Sequence, residues 1–108
     1  MKIRTAKDKN GEIIDIKKYD DKGNLIYYQN PNGCECIYEY DENGNLIHFK
    51  NVTDSFEEYY EYDEDNHLIN QYNSKDFEIV YEYDENGNLI HFKNSDDYEE
   101  FYEYENED

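Results

Sequence analysis

The fourteen residues YEYDENGNLIHFKN at positions 38–51 recur unchanged at 81–94, and their reading decides the fold. Residues 38–40 alternate an aromatic ring with a carboxylate, as a half-buried strand does. Asp41-Glu42-Asn43-Gly44-Asn45 follows, a cluster of turn formers in which Asn-Gly is expected to supply the positive φ angles of a tight hairpin. Residues 46–50 then resume an apolar, extended pattern. Strand, turn, strand is a β-hairpin.

Outward from this stretch the same phrase returns along the chain. YDDKGNLIYY starts at Tyr19, YDENGNLIHF at Tyr40 and Tyr83, YDEDNHLINQ at Tyr62, and a truncated YEN at Tyr104, at intervals of 21, 22, 21 and 21 residues. An earlier, degenerate unit, DKNGEIIDI, begins at Asp8. The pattern predicts first strands over 34–40, 56–62, 77–83 and 98–104, and second strands over 25–29, 46–50, 68–72 and 89–93. With two N-terminal strands over 2–7 and 12–19, the expectation is an all-β, antiparallel meander of about ten strands, in a twisted and curved sheet. In the third unit Phe77, Ile79, Tyr81 and Tyr83 fall on one face, and Glu78, Val80 and Glu82 on the other. The chain reads as one domain: a degenerate hairpin over 1–18, repeats over 19–104, and an acidic tail over 105–108.

Composition raises one rival, disorder. Leu, Ile, Val and Phe make up less than a fifth of the chain, and the formal net charge is −19. Fourteen tyrosines at regular places argue for folding, since each ring brings apolar area and a polar tip to a pleated surface. The core should be thin. The charge is uneven: residues 1–23 carry seven bases against five acids, whereas residues 24–108 carry 24 acids against Lys50, Lys75 and Lys93. Such a field repels nucleic acid and anionic membrane and attracts cationic proteins. No signal peptide or apolar spanning run is apparent, so a cytoplasmic location is expected. Cys34 and Cys36 lie two residues apart, point the same way on a strand, and should remain free thiols packed in the sheet.

The phrase Y-x-Y-D-x-x-G-N-L at a period near 21 resembles the YD repeats of the Rhs and teneurin type. Tyr38, Tyr40, Asp41, Gly44, Asn45 and Leu46 match it, as do Tyr81, Tyr83, Asp84, Gly87, Asn88 and Leu89. Tyr19, Asp20, Gly23, Asn24 and Leu25 match less fully, as do Tyr60, Tyr62, Asp63 and Leu68. The resemblance implies hairpins joined into a spiralling sheet, which in large members encloses a toxin or other cargo. Four or five repeats are too few to enclose anything, so it implies fold more than function. By analogy it also points towards bacterial toxin biology, where small acidic proteins serve as immunity proteins.

Candidate chemistry is sparse. The hydroxyls of Thr5, Thr53, Ser55, Ser74 and Ser95 stand in no nucleophile-elbow pattern, so no enzyme is expected. His48 and His91 occupy one place in two repeats and would lie about 19 Å apart at about 4.8 Å per strand, too far to share an ion. They read as surface histidines copied with the repeat, and His67, in place of a turn asparagine, as exposed. Counted from Asp41, Gly44 is fourth and Val52 twelfth, which does not fit a calcium loop needing Gly at the sixth position and Glu at the twelfth. Cys34 and Cys36 have no neighbouring histidine for zinc. No metal or cofactor is expected.

Two acidic-aromatic stretches remain as the candidate partner-binding surface: Glu57, Glu58, Tyr59, Tyr60 and Glu61, and Asp96, Asp97, Tyr98, Glu99, Glu100, Phe101, Tyr102 and Glu103. Rigid rings anchor an interface and carboxylates steer a basic partner. The functional expectation is a non-catalytic inhibitor of the immunity type that neutralises a basic toxin, such as a nuclease, by direct binding. The alternative is a structural or adhesive repeat module that self-associates, its acids serving solubility.

Overall fold

The computed structural model describes residues 1–106; the last two residues of the expected acidic tail, 107 and 108, lie outside them. Ten strands follow in chain order: β1 (Lys2–Lys7), β2 (Ile13–Tyr19), β3 (Leu25–Gln29), β4 (Glu35–Tyr40), β5 (Leu46–Asn51), β6 (Phe56–Tyr62), β7 (Leu68–Asn73), β8 (Glu78–Tyr83), β9 (Leu89–Asn94) and β10 (Glu99–Phe101). They form one antiparallel sheet in the order β1 to β10. The expected meander of ten strands is therefore present, and the described residues contain no helix. Two compact units divide the chain at Glu58 and Tyr59, inside β6.

Every hairpin turn is built on one device. In Asp41–Asn45 the Asp41 amide donates to the Asn45 carbonyl at 2.9 Å, and the Gly44 amide to the Asp41 carbonyl at 3.1 Å. The Asp41 carboxylate accepts from the Asn43 and Asn45 amides, both at 2.9 Å, which fastens the intervening residues in a right-handed turn. The chain then needs one left-handed residue to rejoin the sheet, and Gly44 provides it at φ 86°. Here the expectation of a tight Asn-Gly turn is corrected: the positive angle falls on the glycine alone, and Asn43 stays out of that region. The turn is a three-residue loop with a bulge, visible as a register shift between Glu39 and Tyr40 and repeated between Glu82 and Tyr83. The leading Asp captures two amides and so makes this geometry cheaper than the two-residue alternative.

Between repeats an asparagine plays the part of the aspartate. Asn73 Oδ1 accepts from Lys75 at 2.8 Å and Phe77 at 3.3 Å, and Asn94 Oδ1 from Asp96 at 2.9 Å and Tyr98 at 3.2 Å. The left-handed position is held by Gly33 in one such turn, but by Ser55, Asp76 and Asp97 at φ 62–64° in the others. The single 22-residue interval arises here, because 51–56 holds one residue more than 73–77 or 94–98.

Consecutive repeats are also tied by the tyrosine before each turn. Tyr40 donates its hydroxyl to the Leu25 carbonyl at 2.7 Å, Tyr83 to Leu68 at 2.6 Å, and Tyr104 to Leu89 at 2.6 Å. This explains the pairing of Tyr with Leu 15 residues earlier: each ring reaches back to the start of the preceding second strand.

No side chain among the described residues is fully buried. The β8 pattern alternates as its sequence does, with Ile79, Tyr81 and Tyr83 half-buried and Glu78, Val80 and Glu82 exposed. The sheet has no second layer, so its rings shelter one another instead of a core. Tyr38 meets Phe49 at 5.3 Å, and Tyr59 stacks on Tyr72 at 5.1 Å.

Candidate functional site: two carboxylate–histidine–carboxylate bridges and a divided acidic surface

His48 and His91 are not loose surface groups. Each is half-buried, with side chains 17 % and 19 % exposed, and each has a carboxylate on both ring nitrogens. His48 Nδ1 lies 3.0 Å from Glu39 Oε1 and Nε2 lies 3.1 Å from Glu57 Oε1, linking β4, β5 and β6. His91 Nδ1 lies 2.9 Å from Glu82 Oε1 and Nε2 lies 2.8 Å from Glu99 Oε2, linking β8, β9 and β10. The reading of these histidines as passive copies is corrected by register: Glu39 stands opposite His48 across the hairpin, and Glu82 opposite His91. A second glutamate then approaches from the following strand.

A neutral imidazole has one N–H and one lone pair, so it satisfies one carboxylate and repels the other. At His91, with an acceptor at each nitrogen, the doubly protonated ring is favoured. Hydrogen bonding to Glu99, and then to Glu82, raises the His91 pKa above its ordinary value. The Phe101 ring covers the imidazole at 4.4 Å, nearly parallel. Because each carboxylate holds a different ring nitrogen, one ion could not touch all three groups; among the described residues no set of three or more His, Cys, Asp or Glu is disposed to hold a metal.

His67 is half-buried, contrary to the exposed position expected of it. It takes the place of the turn asparagine, its Nδ1 3.3 Å from Asp63 Oδ2, and stacks on Tyr83 at 4.8 Å. Cys34 and Cys36 are free and half-buried, and burial pushes the Cys36 thiol pKa up.

The candidate partner-binding residues separate by strand alternation. In the first stretch Glu57 faces His48, Tyr59 faces Tyr72, and Glu61 is exposed; Glu58 and Tyr60 alternate with them and point to the opposite side. In the second, Asp96 and Asp97 form the turn before β10. Glu99 and Phe101 lie on the His91 side. Tyr98, Glu100 and Tyr102 lie on the other, where Tyr98 and Tyr102 approach Phe92 at 5.8 and 6.4 Å and the Tyr102 hydroxyl donates to Glu100 at 2.9 Å. That carboxylate raises the pKa of both tyrosines. Glu103 is exposed beyond the strand. Both faces therefore combine carboxylates with rings, and no single acidic-aromatic face collects all the candidates. The most accessible rings cluster at the β10 edge: Phe101 is 70 % exposed, Tyr104 57 % and Tyr98 54 %.

The bridging role of His48 was legible in principle. Glu39, His48 and Glu57 are spaced nine residues apart, which is the distance across a strand, a five-residue turn and back.

No protein-family model and no curated protein matches this chain. Solved structures do. A chain of the TcdB2-TccC3-Cdc42 crystal structure matches 83 % of this chain with TM-score 0.65 and 21 % identity. Chains of TcdB2-TccC3 and TcdB2-TccC3-TEV match 86 % with TM-scores 0.60 and 0.58, at 21 % and 22 % identity. This chain spans only 5–6 % of the length of those chains. At that identity the likeness is one of fold: the hairpin meander recurs as a small part of much larger chains, which fits the tandem hairpins expected from the YD-like phrase.

Proposed function

We propose that this chain is a non-catalytic sheet module that acts by binding a basic protein. The observation that carries the reading is the absence of any fully buried side chain among the described residues, in a sheet rich in half-covered tyrosines. Such a surface gains apolar burial only by contact with another macromolecule, and about 25 cal/mol per Å² of ring area is the available driving force. Charge selects the occupant. At −19, two copies of the chain repel each other, whereas a cationic protein is steered in and its charges are matched by Glu61, Asp96, Asp97, Glu100 and Glu103. Together with the resemblance of the hairpin phrase to YD repeats, this favours a basic toxin as partner and its neutralisation, in the cytoplasm of a bacterial cell, as the outcome.

A second reading, a structural module that stacks with like sheets, is favoured by the occurrence of the same meander within long chains. One experiment separates them. The chain is used as bait in host lysate at low and moderate salt, and the recovered protein is assayed alone and with the chain. Stoichiometric recovery of one basic protein, inhibited on binding, supports the inhibitor. Recovery of the chain alone, with concentration-dependent assembly, supports the structural module and rejects the inhibitor.

A further inference from the structure

We infer that the His91 bridge is a pH-operated latch that fastens β10 to the sheet. β10 is the shortest strand, three residues against five to seven in the others, and its register with β9 runs over Glu99–Lys93, Glu100–Phe92 and Phe101–His91 only. Few main-chain bonds hold so short a strand, so side-chain links weigh heavily in its attachment. Two of these act through one ring: Glu99 accepts from His91 Nε2 at 2.8 Å, and Phe101 lies on the imidazole face at 4.4 Å. The other nitrogen is anchored to β8 through Glu82 at 2.9 Å. The imidazolium therefore stands between two carboxylates from two strands and cross-links three strands in a row.

The surrounding charges favour this state. From β8 the ring meets Glu82, with Glu78 further along the same face; from β10 it meets Glu99. On its own strand Lys93 stands opposite Glu99, yet among the described residues Lys93 makes no ion pair and leaves Glu99 to the histidine. Loss of the proton leaves one N–H for two carboxylates. One of them then faces a ring lone pair, and rotation of Glu99, the partner on the shorter strand, relieves the contact. The sign follows from the raised pKa: the contribution is complete below the ordinary histidine value of 6.5 and is lost as pH rises through the higher folded value. β10 is thus held below the ordinary histidine value and loosens as pH rises through the higher folded value, freeing Phe101 from its ring partner.

The latch is tested by NMR on the full chain between pH 5 and 9, following His91 ring nitrogens and amide exchange together. The Tyr102 amide, which donates to the Ile90 carbonyl at 2.9 Å just beyond β10, reports on the strand; the Asp41 amide, bonded to Asn45 at 2.9 Å in the other unit, is the reference. The expected result is a His91 midpoint above 6.5, with Tyr102 exchange rising severalfold relative to Asp41 through that midpoint. Glu99→Gln and Glu82→Gln should each lower the midpoint, and Glu99→Gln should also uncouple Tyr102 exchange from it. A His91 midpoint at or below 6.5 overturns the latch, as does a raised midpoint with Tyr102 tracking Asp41 throughout. The wild-type titration decides the matter even if a variant fails to fold.

Discussion

Replacing Asp76 and Asp97 by glycine should stabilise the protein, and the size of the gain follows from the turn geometry. Both residues occupy the left-handed position of an Asn-led turn, at φ 64° and 62°, where the equivalent residue in the first such turn is Gly33 at φ 83°. A residue with a Cβ pays roughly 1–2 kcal/mol in that region, and Asp is at the low end because its side chain tolerates it. Glycine in turn gives the unfolded chain more freedom, a loss of about 0.5 kcal/mol or somewhat more. The balance is a gain of about 0.5 kcal/mol per site and about 1 kcal/mol for the pair, taking the two turns as independent. With an m-value of about 2 kcal/mol/M in urea, the double variant should shift the unfolding midpoint upward by about 0.5 M. Each substitution also removes one charge from a chain at −19, so Glu85→Gln, exposed in an Asp-led turn, serves as the charge control. The reciprocal change, Gly33→Ala, should cost about 1 kcal/mol without altering charge. If Asp76→Gly and Asp97→Gly gain no more than Glu85→Gln, or if Gly33→Ala is neutral, the turn argument is wrong.

Other consequences follow from the same structure. Tyr83→Phe removes the donor to the Leu68 carbonyl and should cost about 1 kcal/mol in urea unfolding; an unchanged midpoint would show the hydroxyl bond to be idle. Gly87→Ala and Gly44→Ala meet the same left-handed strain, but a Cβ at 87 would also lie 3.1 Å from the His67 ring while nothing crowds position 44, so Gly87→Ala should be the more destabilising. The pKa values of Asp20, Asp41, Asp63 and Asp84 are lowered, chiefly by the backbone amide four residues on. Their contribution is therefore present above the ordinary carboxylate value of 3.8 and lost as pH falls through the lower folded values, and urea midpoints measured from pH 6 to 2 should fall on the acid side of 3.8. Asp84→Asn, which keeps an acceptor but cannot titrate, should flatten part of that decline.

How much of this was legible in the sequence depended on how local the physics was. β3 ends where its pattern ends, at Leu25 and Gln29, because a bulged turn and an asparagine turn bound it on both sides. Cys34 and Phe77 were expected inside strands, but their amides are captured by Asn30 and Asn73, so β4 and β8 start one residue later. β10 was expected over 98–104 and spans Glu99–Phe101: Asn94 Oδ1 captures the Tyr98 amide before it, and a single amide, Tyr102 to the Ile90 carbonyl, pairs just beyond it. The face assignment of the acidic candidates was not legible from clustering alone: neighbours such as Glu99 and Glu100 alternate across the sheet. The histidine bridges were missed because they depend on which residues stand opposite one another. That register is fixed by the five-residue turn and its bulge, not by the composition of either strand.

Whether acidic residues on this sheet bind a basic protein is decided by titration calorimetry with the recovered partner. Binding would be measured across a salt series for the wild type and for Glu61, Asp96, Asp97, Glu100 and Glu103 reversed to Lys singly and together. Affinity should weaken with salt, and the combined reversal should abolish binding with the sheet still folded. Equal affinity for all variants, independent of salt, would show that the carboxylates take no part in binding.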